Sequence, residues 1–262
     1  MQIYLSFLAA TLYVACSIIP GARRNLVSGL TASAWLAHGI ALWLVVFSHP
    51  ASSSLFAVML SAALWVSVLV YWLENLNFSL DGLKVLLLPH AAFMSVLPVF
   101  FPGSLIGLAD KTAMFPWHIA VALLAYSTLT IAAFHALVMS LQDEKTPPAT
   151  ERYRIERLPA LMTMEKILFR LIFIGFVLLT LTVLSGVLFS EQVLGVAFKW
   201  DHKTILSLLS WVLFGILLIG RKWRGWRGKT VLSFTLSGFL TLLLAYVGSR
   251  FVLEVLLHRS LT

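Results

Sequence analysis

Apolar residues run along this chain in long blocks broken by short polar stretches. The blocks lie near Ile3 to Ile19, Leu26 to Phe47, Leu55 to Trp72, Leu83 to Phe101, Trp117 to Leu141, Ile167 to Phe189, Thr204 to Gly220 and Val231 to Gly248. Each approaches or exceeds the roughly 20 apolar residues that a helix needs to cross hydrocarbon, the first, third and seventh being somewhat short. Membrane strands are not expected, because they would alternate apolar and polar positions over short segments, and these blocks are continuous. The pattern predicts an all-α polytopic transmembrane bundle of about eight helices.

Composition strengthens that reading. Hydrophobic residues make up 60% of the chain and charged residues 11%, with a mean hydropathy of +0.94, whereas soluble domains are apolar at about half their positions. The net charge of +8, from 19 Lys and Arg against 11 Asp and Glu, sits in short loops, where it sets orientation and meets lipid headgroups. Nucleic acid is therefore not expected as a partner, even for the basic stretch "RKWRGWRGK". Positive charge gathers after the first, fifth and seventh helices: Arg23 and Arg24; Lys145, Arg152, Arg154 and Arg157; Arg221, Lys222, Arg224, Arg227 and Lys229. The other loops hold few cations, chiefly Lys111, Lys199 and Lys203, so both termini are expected outside the cytoplasm. Met1 to Pro20 lacks a basic n-region and reads as a retained helix, not a cleaved signal peptide.

The longest polar interruption, "LQDEKTPPATERYRIERLP", divides the single membrane domain of residues 1–262. A five-helix part (1–141) precedes a cytoplasmic connector (142–163), and a three-helix part (164–262) follows it. No internal repeat is evident, which does not favour an inverted-repeat transporter. Cys16 is the sole cysteine, so a disulfide framework and a CxxCH haem attachment are both excluded. Nucleophile elbow, phosphate loop and dinucleotide fingerprint are missing too, and the expectation is a protein that is not an enzyme.

The seven histidines carry the most chemistry. At about 1.5 Å of rise per residue, His90 lies roughly 10 Å from the cytoplasmic end of the fourth helix, His135 is at similar depth in the fifth, and His38 is nearer mid-membrane. His118 starts the fifth helix at the other face, His202 precedes the seventh, His258 follows the eighth, and His49 is in an outer loop. Neutral imidazole ligates haem iron and other transition metals. It also bonds neighbouring helices through hydroxyls or carbonyls. Two layers drawn from different helices favour a bundle interior or cavity. Among the aromatics, Trp117, Trp200, Trp223 and Trp226 stand where an interfacial belt would put them.

The segments "RLIFIGFVLLTLTVLSGVLF", "KWDHKTILSLLSW", "RGWRGK" and "LAYVGSRFVLEVLLH" together resemble the cytochrome c assembly superfamily of haem-handling membrane proteins, with its CcsA, CcmC and HemX-like branches. The likeness covers roughly Pro116 to the C-terminus, and the full length is most similar to the YpjD-like inner-membrane branch. Members of that family carry a tryptophan-rich outer loop ending in a W-D-P-K-E pattern, matched here by Trp200, Asp201, His202, Lys203 and Thr204. His202 and Thr204 replace the proline and glutamate, and the preceding tryptophans are absent. The resemblance implies non-covalent haem b at the outer face of a bacterial cytoplasmic (inner) membrane. Its axial ligands would be His118 and His258, with His202 an additional candidate. Trp200 can stack on the macrocycle, Lys203 can pair with a propionate, and Asp201 can orient His202 or cap the next helix. His38, His90 and His135 could hold a second haem or mark an entry route.

A flat apolar ligand with two anionic groups suits an aromatic, membrane-embedded pocket better than zinc, which would want four close ligands commonly including Cys. The expected function is haem trafficking or cytochrome c assembly, with lipid and other membrane proteins, including those of cytochrome c maturation, as partners. Two alternatives stay open: a membrane scaffold that keeps the fold without haem, and a transporter of another solute.

Overall fold

The computed structural model describes residues 1–20, 23–48, 55–78, 80–101, 115–143, 161–194 and 201–248. Among these there are eight α-helices and no strand: α1 Gln2–Ile18, α2 Arg24–Trp43, α3 Leu55–Asn77, α4 Asp81–Phe100, α5 Phe115–Asp143, α6 Leu161–Leu194, α7 His202–Arg224 and α8 Lys229–Leu243. Short π-helical turns, Leu44–Ser48 and Leu244–Gly248, extend α2 and α8. With those extensions, all except α1 are long and apolar enough to span a membrane, the α8 span running Lys229–Tyr246, and α1 is a shorter apolar helix of 17 residues. The third and seventh blocks, short by hydropathy, each grow to 23 residues because their polar ends remain helical.

The largest buried cluster among the described residues runs through the bundle, taking Tyr13 from α1, Ala34 from α2, Val68 from α3, Leu87 from α4, Leu129 from α5, Ile172 from α6, Phe214 from α7 and Leu242 from α8. Lipid tails are as apolar as these side chains, so close packing and interhelical hydrogen bonds hold such a bundle together. The indoles of Trp35 on α2 and Trp65 on α3 stack at 4.7 Å. Each donates to the other's backbone carbonyl, at 3.0 and 2.9 Å. Ser67 of α3 donates to the Ser127 carbonyl of α5 at 3.0 Å, and Ser210 of α7 to the Gly238 carbonyl of α8 at 2.8 Å. On α6 the outward residues Phe173, Val177, Leu181, Leu184 and Leu188 are exposed and apolar, as a lipid-facing surface requires.

α5 packs along α6 and α8, and α7 packs on α6 and α8. The far end of α7 is fixed by charge. Arg221 donates to Glu165 of α6 at 2.7 Å and lies 4.7 Å over the Phe169 ring, while Arg227 approaches the same carboxylate at 3.9 Å. Gly225, at φ 65°, supplies the left-handed turn that ends α7. Trp223 and Trp117 are exposed, as expected for belt residues. Trp226 differs: its ring covers Gly220 and meets Phe234 at 5.1 Å, so it is packed into the α7–α8 turn.

Candidate functional site

The beginning of α5, the last third of α6 and the beginning of α7 meet at the end of the bundle opposite Arg221. His118 stands in the first turn of α5, and its Nδ1 lies 2.8 Å from Ser185 Oγ of α6. Ser185 donates its hydroxyl proton to the Thr182 carbonyl at 3.1 Å. With the hydroxyl proton on the Thr182 carbonyl, Ser185 would accept from the imidazole and Nδ1 would carry the ring hydrogen. That tautomer puts the ring's lone pair on Nε2, the nitrogen suited to a metal. Gly186 adds a close approach, because a Cβ there would stand 3.4 Å from His118 Cε1. Ser and Gly in succession thus orient the ring and let it lie near the α6 backbone.

Lys203, in the first turn of α7, is half-buried and near enough to His118 to act on it electrostatically. Its neighbours serve differently. Asp201 is the N-cap of α7, with Oδ1 accepting from the Thr204 amide at 2.8 Å and from the Thr204 hydroxyl at 2.7 Å. Of its two roles foreseen from the sequence, capping is the one these bonds display. His202 is the exposed first residue of the helix. Deeper in the bundle lies an aromatic layer. Tyr126 of α5 meets Tyr246 beyond α8 at 5.6 Å, and Phe176 of α6 stacks with Trp211 of α7 at 5.6 Å. The Trp211 indole N–H is satisfied by Thr180 at 2.8 Å.

The structure therefore brings His118 and Lys203 together and adds Ser185 and Gly186, which sequence reasoning missed. Trp200 and His258 lie outside the described residues, as do His49 and most of the connector (144–160). The inner histidines are each engaged separately. His38 is fully buried, with Ser61 Oγ 2.8 Å from Nε2 and Tyr13 OH 3.4 Å from Nδ1, so both nitrogens tie α2 to its neighbours. His90 is exposed on α4, donating Nδ1–H to the Leu86 carbonyl at 2.6 Å and meeting Phe134 edge-on at 5.1 Å. His135 is buried on α5 beside Glu74 of α3. No group of three or more His, Cys, Asp or Glu that could hold a metal ion occurs among the described residues.

Residues 27–257 match the family described as cytochrome C assembly protein. The inner membrane protein YpjD of Escherichia coli K12 is 34% identical over 162 residues, 61% of this chain and 60% of that protein. An Azospirillum brasilense protein, named for its 28.8 kDa mass and a nifR3-like 5′ region, is 30% identical over 210 residues, 76% of each chain. The cytochrome c biogenesis protein CcsA of Chlamydomonas reinhardtii is 30% identical over 140 residues, 52% of this chain and 38% of that protein.

Proposed function

This chain belongs to the cytochrome c assembly protein family, and from that premise we propose a non-enzymatic protein of the bacterial inner membrane that binds haem b non-covalently at the outer face. The observation that carries the reading is His118 in the first turn of α5 with Nδ1 2.8 Å from Ser185 Oγ, an arrangement in which Nε2 would bear the lone pair. Its role would be axial ligation. Lys203 supplies a cation of the right sign for a propionate, and the aromatic layer of Tyr126, Tyr246, Phe176 and Trp211 gives an apolar floor below. When bound, haem supplies the iron to be carried or ligated; the protein orients the imidazole, neutralises carboxylate charge and excludes water. His258 is proposed as the second ligand, with Trp200 as a stacking residue, on the family resemblance.

Two of the relatives support the setting by name: one is an inner membrane protein and one serves cytochrome c biogenesis. Haem delivery to a membrane partner of cytochrome c maturation is the activity proposed for this chain.

The test is an absorption spectrum of the detergent-purified full chain, oxidised and reduced. Wild type should show a Soret band after haem addition, His118→Ala should lose or shift it, and added imidazole should restore it. A band of unchanged position and intensity in His118→Ala would reject this ligand. A second reading, a scaffold without haem, is favoured by the reduced outer loop, in which His202 and Thr204 stand where the family pattern has proline and glutamate. It predicts wild-type protein that remains colourless throughout haem titration.

A further inference from the structure

Away from the outer site, in the half of the bundle that holds Arg221, a carboxylate and an imidazole face each other in a buried pocket. Glu74 of α3 is 7% exposed and His135 of α5 is 0% exposed. Glu74 Oε1 accepts from Arg170 Nη2 of α6 at 2.9 Å. His135 Nδ1 lies 3.0 Å from the Ile131 carbonyl, which can only accept, so Nδ1 carries a hydrogen. The remaining atoms, Glu74 Oε2 and His135 Nε2, are 3.6 Å apart and have no hydrogen-bond partner among the described residues.

With Nδ1 protonated, a neutral imidazole presents a lone pair at Nε2, and an ionised carboxylate presents another at Oε2. Two acceptors buried face to face leave both unsatisfied, an arrangement that native interiors avoid. A single proton on either atom turns the repulsive approach into a donor–acceptor pair. We propose that Glu74 and His135 form a proton-binding site buried at the junction of α3, α5 and α6, in which one proton is shared between the carboxylate and the imidazole while Arg170 fixes the other carboxylate oxygen. A divalent cation fits less well, since the Arg170 guanidinium already occupies one oxygen and only two donors remain.

The surrounding charges leave the pair to Arg170. Arg24 of α2 is spent on the Asn75 and Leu76 carbonyls at 2.8 and 2.7 Å, so it caps α3. Lys84 of α4 donates to the Ile19 carbonyl at 2.6 Å, and Asp81 starts that helix near Lys84 and Tyr71. From α8, Lys229 lies at the exposed start of the helix. The site rests on geometry independent of the haem reading.

Glu74→Gln is the informative variant. Its amide nitrogen can donate to His135 Nε2 and its oxygen can still accept from Arg170, so every partner is kept while the titrating proton is removed. Thermal unfolding and infrared spectra of the full chain in detergent, recorded across mildly acidic to mildly alkaline pH, should show a titration in wild type. Glu74→Gln and His135→Gln should both lack it. Superimposable pH profiles for wild type and Glu74→Gln would overturn the proposal, as would a fixed water that satisfies both atoms at every pH. If neither variant folds, isotope-edited infrared of wild type decides, with labelled glutamate and labelled histidine. A carboxyl or imidazole signal that titrates under slow solvent exchange supports the site, and pH-invariant signals of both kinds refute it.

Discussion

One hydroxyl decides what His118 can do. With its proton on the Thr182 carbonyl, Ser185 would receive the Nδ1 hydrogen of His118, and the imidazole's basic nitrogen would then be set by a residue with no ligand chemistry of its own. Partners of this kind orient a ligating ring, and their loss typically weakens metal affinity by about 10–100-fold. Ser185→Ala should therefore lower haem affinity by roughly tenfold or more and broaden or shift the Soret band while leaving helix content unchanged. Ser185→Thr, which keeps the hydroxyl, should retain most of the affinity. Haem titration followed by absorbance reads both variants, and an unaltered affinity in Ser185→Ala would show that the hydroxyl does not position the ring. The serine gave little warning in the sequence: in "TVLSGVLF" it reads as one small residue in an apolar run. Glu74 and Arg170 were equally quiet, as lone charges just past the third apolar block and inside the sixth, whose pairing across 96 positions only the fold creates.

At the scale of elements, α7 is defined by its ends. Asp201 accepts two hydrogen bonds from Thr204, and Gly225 closes the helix in the left-handed region. Asp201→Ala removes the cap and should destabilise the protein by about 1 kcal/mol, with Asp201→Asn or Asp201→Ser recovering most of it. Thermal unfolding in detergent measures the loss, and hydrogen exchange should localise it to the first turn of α7. Haem binding should survive in Asp201→Ala; a spectrum abolished at unchanged stability would assign the carboxylate to the ligand instead of the helix. The helices themselves were legible because hydrocarbon demands long apolar runs, and each expected block falls on a helix. Their ends were less so. α6 begins at Leu161, six residues before the apolar block, since Met164, Glu165 and Lys166 are good helix formers and Glu165 gains Arg221 as a partner. Hydropathy records transfer into lipid, and the helix continues past it for backbone reasons.

Across the whole molecule, charge and chemistry lie at opposite ends. His118, His202 and Lys203 share one end of α5 and α7, while Arg221, Lys222, Arg224 and Arg227 hold the other. α7 is 23 residues long, and at about 1.5 Å per residue it exceeds a hydrocarbon core of roughly 30 Å. A helix of that length is expected to carry its two ends to different compartments, and the positive-inside rule predicts that the arginines lie in the cytoplasm. Cysteine labelling tests this directly, since the lone native thiol, Cys16, is buried and can be removed as Cys16→Ser. In that background, a membrane-impermeant maleimide added to spheroplasts should label His202→Cys and spare Trp223→Cys, whose site is 79% exposed. Lysis should then make Trp223→Cys reactive. The reverse pattern would place His118 in the cytoplasm, and haem handling at the outer face would have to be abandoned even if the Soret band were present.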